Sequence, residues 1–135
     1  MKKQTRKNAG FTLIEMLVVM AILGMLVALV GPSIWNNLGR GQRSAAAAQI
    51  ANLTTALDTY LLDNGRYPQS LDGLIENDTG RDSWQGPYLR SANAVPLDPW
   101  GNNYVYEIDS REFSLISYGA DGAPGGTGDD ADIGE

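Results

Sequence analysis

From Met16 to Gly39 the chain carries no charged side chain, and most positions are Leu, Val, Ile, Met or Ala. About 20 apolar residues cross a hydrocarbon core as a helix. A helix that is apolar over this length has no internal core of its own. It must be buried in lipid or against other copies of itself. Lys2, Lys3, Arg6 and Lys7 precede it with no acid among them. That asymmetry keeps the N-terminus cytoplasmic and sends the C-terminus across the membrane. A cleavable secretory signal has the same order of basic and apolar parts. The length of the apolar stretch favours an anchor.

Charge and composition remove most other functions. The chain has 10 Lys plus Arg against 16 Asp plus Glu, a formal net charge of −6. Four of the bases lie in the first ten residues, which leaves the remainder strongly acidic and without a footprint for nucleic acid. Cysteine and histidine are both absent. Disulfides, thiolate nucleophiles, histidine general bases and metal ligation by those side chains are therefore excluded. No Gly-rich loop ending in Lys-Ser/Thr is present, so nucleotide-driven work would need a partner. The expectation is a protein that is not an enzyme and has no small-molecule substrate.

Glu15 stands at the head of the apolar segment. A carboxylate at membrane depth costs up to about 2.5–3.5 kcal/mol, so it usually has a partner or a task. With its neighbours it forms Gly10-Phe11-Thr12-Leu13-Ile14-Glu15 behind a short basic leader. This resembles the class III signal of type IV pilins and their pseudopilin relatives. The resemblance implies that a prepilin peptidase cuts between Gly10 and Phe11 and methylates the new amine of Phe11. Cleavage would create an α-amino cation four residues before Glu15. In a bundle of apolar helices, the Glu15 of one subunit can neutralise the amine of another, since two charges costly to bury singly are tolerable as a pair. The resemblance implies that this pairing sets subunit register. Pro32, beside Gly31, matches a proline that the family carries there; it frees a backbone carbonyl and kinks or locally melts the helix, or marks a simple break at the membrane exit.

The helix is predicted to continue from Arg40 to Asn64. Ile50, Leu53, Leu57, Tyr60 and Leu61 recur at three- and four-residue spacing as one apolar stripe, and Asn64-Gly65 is a good C-cap pair. Arg40 and Arg43 are expected to meet lipid headgroups or an acidic neighbour. Ser70 to Asn77 reads as a short helix. Residues 78–95 read as a loop in which Trp84, Pro87, Tyr88 and Leu89 anchor onto the long helix. Asn103 to Asp109 and Phe113 to Tyr118 read as a β-hairpin with a polar Ser110-Arg111-Glu112 connection. Tyr67-Pro68, the Trp84 to Leu89 stretch and Asp98-Pro99-Trp100-Gly101 resemble one branch of the pilin-like superfamily, the major pseudopilins of the type II secretion system (general secretion pathway protein G). Trp100 is expected to be a core anchor. The resemblance implies an α+β, type IV pilin-like fold: a long N-terminal helix, half membrane and half amphipathic, packed on a small antiparallel sheet and followed by a C-terminal calcium-binding loop. Residues 1–10 form the leader, 11–39 the transmembrane and assembly half, and 40–135 a periplasmic globular domain.

Gly119 to Glu135 holds five acids, six glycines and no base. Small folds often need a staple, and hard oxygen donors from Asp121, Asp129, Asp130 and Asp132 suit Ca²⁺. The spacing is not that of an EF-hand. Gly125 to Asp130 imitates the start of a calcium-binding β-roll repeat, but a single copy cannot stack. The family resemblance implies one structural Ca²⁺ held by Asp121, Asp132 and an intervening carboxylate. Asp130 is preferred for that place and Asp129 stays open, with the backbone carbonyls of Tyr118 and Ala123 completing the site. The composition by itself is equally that of a solvated acidic tail.

The reading that follows is a structural subunit. It is inserted in the inner membrane, trimmed at Gly10 and polymerised as a homopolymer into a periplasmic pseudopilus. Its partners would be the prepilin peptidase, minor pseudopilins and an inner-membrane assembly platform with a cytoplasmic ATPase. Growth of the fibre would drive folded proteins through an outer-membrane secretin. The alternative in the same superfamily is a type IV pilin or competence pseudopilin, which often carries a C-terminal cysteine pair that this chain lacks. A membrane-tethered hydrolase using Asp121 and Asp132 has no nucleophile or base in a recognisable setting.

Overall fold

A computed structural model describes residues 10–89, 93–109 and 111–134, without the side chains of residues 35 and 36. Residues 1–9 of the expected leader lie outside the described residues, as does Ser110 of the hairpin connection. The elements in chain order are helix α1 (Leu13–Asn64), strand β1 (Val105–Asp109), strand β2 (Glu112–Ser117) and strand β3 (Ile133–Gly134). Two short 3₁₀ turns, Leu71–Leu74 and Gly128–Asp130, stand between them. The chain divides into two compact units, Met1–Asn37 and Leu38–Glu135.

In the first unit α1 is apolar on every side. Leu13, Met25 and Leu29 are 82%, 77% and 78% exposed, and Ile22, Leu23 and Leu26 are each more than half exposed. α1 runs through Pro32 without interruption. Proline has no N–H to give the carbonyl of Ala28, so one helical hydrogen bond is missing there. The Ser33 hydroxyl donates to the Val30 carbonyl at 2.8 Å one turn away.

The second unit is built on the other part of α1. Ile50, Leu53, Leu57 and Tyr60 lie at three- and four-residue spacing on one face and are 0–3% exposed. They pack with Leu71 and Leu74 of the 3₁₀ turn, Tyr104 and Leu115 into one core. Each fully buried Leu contributes about 1.5–3 kcal/mol by removal from water. The stripe also runs further back than the apolar pattern suggested: Gly39 and Ala46 are buried and Arg43 is half-buried. The helix stops where the sequence placed the cap. Gly65 takes φ +74° and its N–H donates to the Leu61 carbonyl at 2.8 Å.

Asn64 secures that end. Its amide donates to the Tyr60 carbonyl and the Tyr88 hydroxyl, and its oxygen accepts from Ser83. Tyr88 in turn donates to Asp63 at 3.0 Å. Trp84, Tyr88 and Leu89 pack against the core as expected, with the Trp84 indole N–H on the Gly73 carbonyl, whereas Pro87 is exposed. The helix expected over Ser70 to Asn77 shrinks to one 3₁₀ turn. Leu71, Gly73 and Leu74 are its buried residues, and Gly73 lies so close to Pro68 that a Cβ there would stand 2.8 Å from the proline ring.

The sheet has order β1-β2-β3, all antiparallel. Tyr106 faces Leu115 and Asp109 faces Glu112, so Glu112, expected in the connection, is part of β2. The third strand was not legible beforehand. Ser117 pairs with Ile133 and Ile116 with Gly134, so the chain returns to the sheet after the C-terminal loop. Trp100 is half-buried and outside the core cluster, contrary to the expectation of a core anchor. The buried residue of its turn is Asp98, 4% exposed. Its carboxylate accepts from the N–H groups of Trp100 and Asn102 and from the Ser117 hydroxyl at 2.6 Å. A buried carboxylate with these donors holds a turn more firmly than an apolar side chain would, because removing it leaves several donors unsatisfied.

Candidate functional site: the N-terminal motif and the C-terminal loop

The N-terminal motif begins outside the helix. Gly10 and Phe11 are exposed and non-helical. Among the described residues nothing lies within 4 Å of where a Cβ at Gly10 would sit, so their packing does not require glycine there. Thr12 and Glu15 then form a capping box. The Thr12 N–H and hydroxyl donate to Glu15 Oε2 at 2.8 and 3.1 Å, and the Glu15 N–H donates to Thr12 Oγ1 at 3.3 Å. Glu15 is thus engaged within its own chain at the first turn of α1, where a carboxylate also meets the positive end of the helix dipole. This use of Thr12 was missed by sequence reasoning, although the T-x-x-E spacing before an apolar run carries the signal. Phe11, Ile14, Glu15, Met16, Val18 and Val19 surround an open apolar recess beside the carboxylate.

The C-terminal loop is shaped by its backbone. Gly119 takes φ +71°, and a Cβ there would stand 2.6 Å from the Asp129 carbonyl, which accepts the Ala120 N–H at 2.9 Å. Gly126, at φ +89°, lies equally close to the Asp130 carbonyl. No residue with a side chain fits these two places. Asp121 accepts the Ala123 N–H at 3.1 Å, and Asp132 accepts the Gly125 N–H with both carboxylate oxygens at 3.0 Å. Both acids are exposed and cap successive parts of the same turn. Asp130 is exposed in the 3₁₀ turn, Tyr118 is half-buried at the loop entrance and Ala123 is exposed. Asp129 differs from them: its carboxylate lies against Gly39 of α1, within 2.5 Å of where a Cβ on that glycine would be.

Carboxylate and carbonyl oxygens are the donors that Ca²⁺ takes, and Asp121 and Asp132 present theirs at the surface, so the donor chemistry fits. The described residues do not gather three acids into one cluster. Two other contacts hold the loop. The Arg43 guanidinium donates to the carbonyls of Gly128 and Ala131 at 2.6 and 3.1 Å. Asn102 donates to the Gly119 carbonyl at 3.0 Å. Arg43, expected at lipid headgroups or an acid, is in fact a loop contact.

The electrostatics elsewhere are those of a structural core. Burial, with a smaller contribution from the Asp98 charge, pushes the Tyr104 hydroxyl up to about 12, and its partner is Gln49 on α1. Burial also raises Tyr106, whose hydroxyl donates to the Pro68 carbonyl at 2.9 Å.

A capped, uncovered apolar helix and a small α+β body with a looped C-terminus define a membrane-anchored, pilin-like subunit. Two family models match the chain: the prokaryotic N-terminal methylation motif over residues 5–31 and type II secretion system protein G over residues 33–135. The chain is 42% identical to the type II secretion system core protein G of Pseudomonas aeruginosa, over 97% of this chain and 96% of that one. It is 40% identical to the protein of the same name from Vibrio cholerae, over 98% and 94%. It is also similar to the crystal structure of the major pseudopilin from the type 2 secretion system of enterohaemorrhagic Escherichia coli, with TM-score 0.58, 32% identity and coverage of 77% and 94%. The chain belongs to the type II secretion system protein G family, a family of structural pseudopilin subunits rather than of enzymes.

Proposed function

We infer that this chain is the major subunit of a type II secretion pseudopilus, a homopolymer whose growth in the periplasm drives folded proteins through the outer-membrane secretin. The observation that carries this reading is the first unit. An apolar helix with Leu13, Met25 and Leu29 about four-fifths exposed has to be covered by lipid before assembly and by other copies after it. The basic residues before it support an N-terminus in the cytoplasm and a second unit in the periplasm. A prepilin peptidase cuts after Gly10 and methylates Phe11. Glu15 then exchanges its Thr12 partners for the Phe11 amine of a neighbouring subunit, a trade of a local cap for an intermolecular ion pair. The hydrogen bond missing at Pro32 makes that part of α1 the easiest to unwind when helices pack. Force comes from the cytoplasmic ATPase through the inner-membrane platform, and minor pseudopilins complete the fibre.

The C-terminal loop holds one Ca²⁺ through Asp121, Asp130 and Asp132, with the carbonyls of Tyr118 and Ala123. Asp129 is set aside because its carboxylate is packed against Gly39. The ion supplies a cross-link that a chain without cysteine cannot make covalently.

Co-expression with a prepilin peptidase, followed by intact-mass measurement of the membrane-extracted chain, tests this function. The expected product has lost residues 1–10 and gained one methyl group at Phe11. A chain that keeps its first ten residues, or is cut elsewhere, would overturn the reading.

A further inference from the structure

Gly39 and Arg43 are four residues apart and share one face of α1. The C-terminal loop lies on that face. At Gly39 the Asp129 carboxylate occupies the space a side chain would need, 2.2 Å from an ideal Cβ. At Arg43 a single guanidinium nitrogen, Nη1, bridges the carbonyls of Gly128 and Ala131, the two residues that flank the Asp129-Asp130 pair. We propose that Arg43 is the positioning residue of the C-terminal loop: its guanidinium acts as a built-in cation on two loop carbonyls and latches the loop onto α1 with or without a bound metal.

Three physical points support the latch. Guanidinium keeps its charge at every accessible pH and presents several donors in a fixed plane, so it can serve two carbonyls at once. Hydrogen bonds from a charged donor are roughly twice as strong as neutral ones, and the one to Ala131 is partly shielded from water. The contact is also specific in shape. With Gly39 bare, the loop can approach the helix backbone closely enough for Arg43 to reach both carbonyls. A side chain at Gly39 would have to displace the Asp129 carboxylate from the helix surface. The latch and the metal act on different oxygens, since Arg43 takes the carbonyls of Gly128 and Ala131 and leaves those of Tyr118 and Ala123. The latch is therefore independent of the calcium reading and can be tested without it.

The test is hydrogen exchange, read by mass spectrometry, on the full chain in detergent micelles with a chelator present. The variants are Arg43→Met, Arg43→Lys and Gly39→Ala. Arg43→Met is expected to speed exchange at least tenfold in the loop amides of Ala120, Gly125, Asp130 and Ala131, and in the helix amides of residues 39–43. The core amides of residues 50–60 should keep their protection. Arg43→Lys should recover part of the loop protection because it restores the charge but not the planar geometry of the guanidinium, and Gly39→Ala should loosen the loop with the charge untouched. Unchanged loop exchange in Arg43→Met would overturn the proposal. An increase spread equally over residues 50–60 would also overturn it, because Arg43 would then support the whole domain rather than the loop. Repeating the series with calcium separates the two readings: if calcium changes nothing in any variant, the metal assignment fails while the Arg43→Met contrast stands.

Discussion

α1 has two parts with the same backbone conformation and opposite needs. Between Leu13 and Val30 the large apolar side chains are roughly half to four-fifths exposed, and no face is favoured. Between Gly39 and Asn64 one face is buried at regular spacing while Leu62, on the other side, is 84% exposed. Helical propensity does not distinguish the two parts; the distribution of apolar residues around the axis does. A stripe can be satisfied by the chain's own sheet and loops. An apolar surface all the way round can be satisfied only by lipid or by other subunits. The second part therefore builds a stable domain, and the first makes that domain a component of something larger.

Truncating one leucine in each part of α1 should separate the two. Leu57→Ala, at a fully buried position in the second unit, should cost about 2–5 kcal/mol. Leu26→Ala, 52% exposed in the first unit, should leave the unfolding of the second unit within about 0.5 kcal/mol of the parent. Urea unfolding of the full chain in micelles, followed by tryptophan fluorescence, measures both. Equal losses would mean that the two parts of α1 are not separate in energy.

An ion at 100 times its dissociation constant adds roughly 2.7 kcal/mol, and each kcal/mol shifts the melting of a domain this size by roughly 4–8 °C. Melting of the full chain should rise with calcium, fall back with chelator and lose the response in Asp121→Ala. A melt unmoved by calcium would reduce the loop to a structure held by Arg43 and the β3 pairing.

The smallest effect concerns pH. Burial raises the Tyr104 hydroxyl in the folded state to about 12. Its neutral form is thus favoured by folding, and its contribution is fully present below the ordinary tyrosine value of about 10. The contribution is lost as pH rises through 12. Melting temperature should fall between pH 10 and 12, and Tyr104→Phe should flatten that fall. Tyr106, raised by burial as well, would keep part of the slope.

Much of the fold was legible because it rests on periodicity. The spacing of Ile50, Leu53, Leu57 and Tyr60, the Asn64-Gly65 cap and the aromatic hairpin all express local rules. The start of the stripe was hidden although its spacing is regular. Gly39, Arg43, Ala46 and Ile50 follow the same four-three-four step, but glycine, arginine and alanine do not look like a buried face. Strand β3 was illegible for another reason. Two residues carry no alternation, and what makes Ile133–Gly134 a strand is the free edge of β2. The Asp98 turn was recognised as a motif and misread as packing. Trp100 drew attention by size, while the buried group is the carboxylate, whose value lies in the donors it gathers. In the candidate site, the T-x-x-E pattern gave Glu15 a partner within the chain. The Arg43 contacts with the Gly128 and Ala131 carbonyls span more than 80 residues of sequence and have no local signature.

In the proposed pseudopilus the uncovered part of α1 is an assembly surface on which Glu15 exchanges its Thr12 cap for a neighbour's amine. Glu15→Gln isolates that exchange, because the amide keeps the size and some of the cap but loses the charge. The measurement is sedimentation of fibres sheared from cells that express the chain with its secretion machinery, alongside intact mass to confirm processing. The prediction is a Glu15→Gln chain that is inserted, trimmed and methylated like the parent but stays in the membrane fraction without forming fibres. Fibres formed by Glu15→Gln in the same yield as the parent would contradict the claim.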